Sequence, residues 1–139
     1  MATFNKFNSF VEALAEKVHN LGSDVLKIAL TNSAPLATNT VLANITQIAA
    51  GNGYTAGGNT ASITSSSQTS GTYKLVLGDV TFTASGGAMA AFRYAVLYND
   101  TATNDELIGW YDYGSSITLA DTETFTLDYD PTNGALTIT

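Results

Sequence analysis

The sequence contains no cysteine, which excludes disulfides and thiolate metal sites and leaves the redox compartment open. Cationic residues are almost as scarce. Five Lys and Arg stand against twelve Asp and Glu, giving a net charge of -7, so little is available to meet a phosphate backbone and no nucleic-acid partner is expected. Charged residues of both signs make up 12% of the chain, about half the usual share. No apolar run approaches the ~18 residues of a membrane-spanning helix, so no membrane partner is expected. The opening MATFNKFNSFVEALAEKV has no basic segment leading into an apolar one, and no secretory signal is read there. A single histidine, His19, provides neither a two-histidine metal site nor an evident catalytic triad. No cofactor and no metal are expected.

What is present is 139 residues, a length suited to one domain that buries about 70% of its unfolded surface. Thr, Ser, Asn, Gly and Ala take the place of charges. Such a neutral, polar, β-compatible exterior is common in secreted β-proteins and in assembled shells.

The hydrophobic pattern divides the chain in two. Phe4, Phe7, Val11, Leu14, Val18 and Leu21 recur at helical steps, predicting one amphipathic helix over 3–20 with Gly22 just past its end. His19 near its C-terminus is assigned to solvent, where the helix dipole favours a cation. Beyond Gly22 the texture is that of strands. DVLKIALTN (24–32) is apolar on both faces apart from Lys27 and reads as a central strand. A long connection, 33–58, follows, with a short helix expected in NTVLANITQI. TASITSSS, TYKLVLGDVTFTAS, AMAAFRYAVLYND, DELIGWYDYG, SITLA, ETFTLDYD and GALTIT then read as strands, the last two joined as a hairpin through PTNG. The fold class is therefore mainly β: an antiparallel β-sandwich or jelly-roll-like barrel with an N-terminal helix. It forms one domain over 1–139, divided into helix (1–22) and β-sandwich (23–139).

Several stretches resemble catalytic or ligand motifs. GNGYTAGG (51–58) satisfies G-x-G-x-x-A, but a dinucleotide fingerprint must open a helix and be followed by an acid about 20 positions on. Here a Thr/Ser-rich strand follows, so the glycines are read instead as permitting positive φ and close backbone approach, with Tyr54 as an anchor. Asp128-x-Asp130 begins like a calcium loop, yet its glycine is one position late and the terminal Glu is missing. Asp105, Glu106 and Asp112 could pair as glycosidase carboxylates, but nothing in the sequence selects them. GWYDYG (109–114) places Trp110 and Asp112 on one strand face and Tyr111 and Tyr113 on the other, which raises a sugar-stacking surface as an alternative use. No paired nucleophile and base is found, so the chain is read as non-enzymatic.

FRYAVLYNDT (92–101) followed by ELIGWYDYG (106–114), with GNGYTAGG, YKLVLGDVTFTASGG and LKIALTNSAP, resembles a group of small structural proteins of tailed bacteriophages over roughly residues 25–115. The resemblance implies a virion component made in the bacterial cytoplasm. Its implied place is the capsid surface, as a decoration or cement protein bound to the major capsid protein and to copies of itself, as dimer or trimer. A tail, baseplate or fibre component and a carbohydrate-binding sandwich are the alternatives. Phe4, Phe7 and Phe10 of the N-terminal segment, Tyr54 and Trp110 are the expected protein-contact residues.

Overall fold

The computed structural model describes residues 2–139. The chain is mainly β, and all strand pairings among the named strands are antiparallel. β1 (Phe4–Lys6) leads into α1 (Phe10–Ala15), β2 (Leu26–Thr31), a 3-10 turn (Leu42–Asn44), β3 (Asn59–Ala61), β4 (Ile63–Thr69), β5 (Thr72–Leu77), β6 (Val80–Thr83), β7 (Phe92–Asn99), β8 (Leu107–Ile117), β9 (Thr124–Leu127) and β10 (Leu136–Ile138). A five-stranded sheet has the order β1-β8-β7-β2-β3, a three-stranded sheet β10-β5-β4, and β6 pairs with β9. None of the sheets closes into a barrel, which corrects that part of the expectation.

β2 lies between β7 and β3, as its apolar character on both faces predicts. Leu26, Ile28 and Leu30 point into a large cluster that also holds Leu75, Leu77, Val80, Phe82, Leu97 and Leu127, and so draws on all three sheets. Ala29, Val96, Tyr98 and Leu107 bury on the opposite face under Phe7 and Ile45. A shift of register between Leu97 and Tyr98 on β7, opposite Gly109 and Leu107, marks a bulge. Leu107 and Ile108, on opposite faces by strand alternation, both bury, one in each cluster.

The N-terminal helix is far shorter than its periodicity predicts: six residues, Phe10–Ala15. Residues 4–6 instead form an edge strand on β8, with Phe4 opposite Tyr111. A helix this short has little stability of its own, and pairing with β8 offers the backbone of 4–6 hydrogen bonds that an isolated helix end would lack. The expected final hairpin is also replaced, because β9 pairs with β6 and β10 with β5. Gly78 ends β5, and its N–H donates to the Ser62 carbonyl at 2.8 Å. β6 then leaves for a different sheet. The short helix expected in NTVLANITQI is the 3-10 turn, held by the Asn44 side chain, which accepts from the N–H groups of Thr40 and Val41.

The GNGYTAGG segment lies close against the sheet, as its glycines suggest. Gly58 has φ +72, and a Cβ there would collide with the Ile28 carbonyl. Tyr54 is 2% exposed. Its hydroxyl accepts from the Leu30 N–H at 3.1 Å and donates to Gln47 Oε1 at 2.7 Å. The Tyr98 hydroxyl donates to the Gly57 carbonyl at 2.7 Å. The segment is thereby tied to β2 and β7 by two tyrosines.

Candidate partner-binding groove

Strand alternation places Tyr111 and Tyr113 of β8 on one face. The Phe4 ring packs over Gly109, where there is no side chain to exclude it, and tilts against Tyr111 with centroids 5.5 Å apart. Asp112, on the opposite face, binds the Arg93 guanidinium through two oxygens, at 2.8 and 3.0 Å. It also accepts from the Gly114 N–H at 2.8 Å, where the register of β8 against β7 shifts between Asp112 and Ile117. Tyr113 is 54% exposed, with its ring edge-on to Phe125 of β9 at 5.9 Å. The Tyr129 N–H donates to Asp79 Oδ1 at 2.9 Å, and its ring meets Tyr111 edge-to-face at 5.8 Å.

These rings, with Ala2, Leu127 and Ala135, border a groove of about 540 Å³ between the five-stranded sheet, β9 and the segment that leads into β10. Its volume falls in the range of ordinary ligand sites. The lining includes Asp128 and Asp130 and no Lys or Arg. Asp130 is held by its own turn, where hydrogen bonds from Thr132 and Asn133 keep its carboxyl below the usual carboxylate range. Asp128 is exposed and forms no ion pair or side-chain hydrogen bond among the described residues.

β9 also offers backbone. Among the described residues its only strand partner is β6. The Ala84 N–H donates to the Glu123 carbonyl at 2.9 Å, which fixes the ladder's alternation. Phe125 and Leu127 share hydrogen bonds with β6, and the N–H and C=O groups of Thr124 and Thr126 point to the free edge. The strand TFTL has none of the charges, prolines or bulges that commonly protect an edge.

Beneath the groove, the Tyr111 and Tyr129 hydroxyls are buried without a well-formed hydrogen bond. Burial pushes Tyr111 up to about 12, against a smaller opposing effect of the adjacent Tyr129, and raises Tyr129 well above its ordinary value.

Of the expected contact residues, Phe4 alone lines this groove. Phe7, Phe10 and Tyr54 are 0%, 4% and 2% exposed, which corrects their assignment as contact residues: their rings close the core of this chain and have no face left for a partner. Trp110 is half-buried on the other side of β8, its ring 4.6 Å from that of Phe7, away from the groove. His19 is buried, not solvent-facing, and hydrogen-bonds Asn99. Among the described residues no group of three or more His, Asp and Glu is placed to hold a metal ion. Asp105 and Glu106 lie in the turn before β8, and Asp112 is engaged by Arg93. The groove residues that sequence reasoning missed are Phe125, Leu127 and Tyr129. Their alternation in TFTLDYD marks a strand face, but nothing in it tells which sheet that face adjoins.

No family model matches this chain, and neither the curated proteins nor the solved structures compared with it yield a match.

Proposed function

We propose that this chain is a non-enzymatic structural protein of a tailed-bacteriophage particle, a β-sandwich of jelly-roll type that decorates or cements the outer head lattice. The observation that carries the reading is the apolar groove beside an unguarded strand edge, on a domain of very low charge density. An exposed aromatic surface next to unpaired backbone is suited to contact with another protein. A surface with few charges loses little on desolvation when it is covered. The phage setting rests on the resemblance carried by FRYAVLYNDT, ELIGWYDYG and GNGYTAGG. In such a setting each copy would add modest contacts to capsid subunits and to its own copies, and closure of the lattice multiplies them through effective concentration.

The test is co-sedimentation of the purified protein with emptied heads, and separately with isolated tails, from the particle that carries its gene. Saturable binding to heads supports the reading. Binding to tails alone moves the protein to the tail, baseplate or fibre. Binding to neither overturns it. Deleting residues 1–20 is not a usable control, because it removes β1 and the buried Phe7 and Phe10 and so unfolds the domain.

A further inference from the structure

We infer that the groove is the attachment device itself, and that it takes one extended segment of a partner protein as an added strand on the free edge of β9. For the partner's identity this rests on the virion reading above. Three features of the site define the occupant. The outward N–H and C=O groups of Thr124 and Thr126 match the backbone of an extended chain, the usual mode of strand addition. Alternate side chains of that chain would fall into the groove against Phe4, Tyr113 and Phe125, so the segment carries aliphatic or aromatic residues at every second position. Asp128, an exposed carboxylate of the lining that forms no ion pair among the described residues, calls for Lys or Arg flanking those apolar positions. The domain's net charge of -7 adds long-range attraction for the same kind of segment. The occupant is therefore a basic, alternating apolar strand from a different protein, since a second copy of this acidic chain lacks that charge.

Short fluorescein-labelled peptides test the assignment by anisotropy. One alternates valine and threonine between lysines, the second carries glutamates in place of the lysines, and the third is the lysine peptide with its central amides N-methylated. The lysine peptide binds, and the other two bind at least about tenfold more weakly, the loss expected from an unmatched charge or missing edge bonds. Tyr113→Ala removes an exposed groove wall, and Thr126→Pro removes an outward N–H while keeping the backbone bonds to β6, at the loss of the exposed hydroxyl–hydroxyl bond to Thr81, which Thr126→Val removes alone as the control. Tyr113→Ala and Thr126→Pro each weaken the lysine peptide by a similar factor while the melting transition shows that the fold remains. Asp128→Lys reverses the preference toward the glutamate peptide. Equal binding of all three peptides, or no binding to a folded wild type, overturns the inference. So does a dimer of the wild type that Thr126→Pro dissociates, because that assigns the edge to a second copy. Heads that bind wild type and Tyr113→Ala alike overturn the groove and leave the virion reading standing. Peptide binding with no binding to heads or tails does the reverse.

Discussion

Asn99 donates one amide hydrogen to His19 Nδ1 at 3.0 Å and the other to Asp24 Oδ2 at 2.6 Å. The amide cannot be reversed, because its Oδ1 already accepts from the N–H groups of Thr101 and Ala102 at 2.9 and 3.2 Å. His19 Nδ1 is therefore an acceptor, and the proton of the neutral ring sits on Nε2, which is buried without a partner. This relationship joins the end of β7 to the segment following α1, 80 positions away in the chain.

Burial disfavours the charged imidazolium and lowers the His19 pKa below its ordinary 6.5, against a smaller opposing pull from Glu106 and Asp24. The unfolded chain then binds the proton more readily than the folded one. Stability is complete above about pH 6.5 and declines as pH falls below it. Thermal melts between about pH 8 and pH 5 should show this decline, and His19→Gln should flatten it. A slope unchanged in His19→Gln would show that other groups cause it.

Tyr111 and Tyr129 make the opposite case at high pH. With Tyr111 held up to about 12 against an ordinary 10.0, the unfolded state ionises first. Stability present below pH 10 is lost as pH rises toward 12. Absorbance titration near the phenolate band should show this phenol ionising late. Because neither hydroxyl has a well-formed hydrogen bond, Tyr111→Phe and Tyr129→Phe should each be neutral or stabilising by up to about 1 kcal/mol in urea unfolding. A loss above that would reveal a partner for the hydroxyl.

Gly58→Ala forces a side chain onto a residue at φ +72 and into the Ile28 carbonyl, and Gly71→Ala meets open space at the comparable φ of +85. The first should cost at least about 2 kcal/mol, and the second about 1 kcal/mol from backbone strain alone. Denaturant midpoints of the two variants give the comparison directly. Equal costs would mean that the contact with β2 contributes nothing.

Phe7 is fully buried beneath Trp110, Val96 and Leu107. Phe7→Ala should therefore cost about 3–5 kcal/mol, a large share of the stability of a domain this size. Its effect on particle binding should disappear when binding is measured on the fraction that remains folded. If the folded fraction also fails to bind, Phe7 would act at the interface after all.

Much of the strand content can be read from the sequence because it depends on local period and on backbone preference. The alternation in FRYAVLYND and TYKLVL, the two-faced apolar run LKIALT and the glycines of GNGYTAGG each specify a conformation with little reference to the rest of the chain. The helical period of residues 3–20 misleads because Phe4, Phe7 and Phe10 satisfy two geometries. Only the edge of β8 decides that Phe4 joins a strand while Phe10 begins a helix. His19 misleads for a related reason: a histidine at a helix end is ordinarily solvated, and only folding brings Asn99 to it.

Composition and periodicity alone determine a β-rich, acidic, cysteine-free chain with few charges, since these follow from residue type and near-neighbour spacing. Tertiary structure alone decides that β9 pairs with β6, that β10 pairs with β5, and that Phe4, Tyr113 and Phe125, spread over more than a hundred positions, border one groove. Those pairings are set by which apolar faces can be buried together at the cost of closing long loops, and no local pattern carries that information.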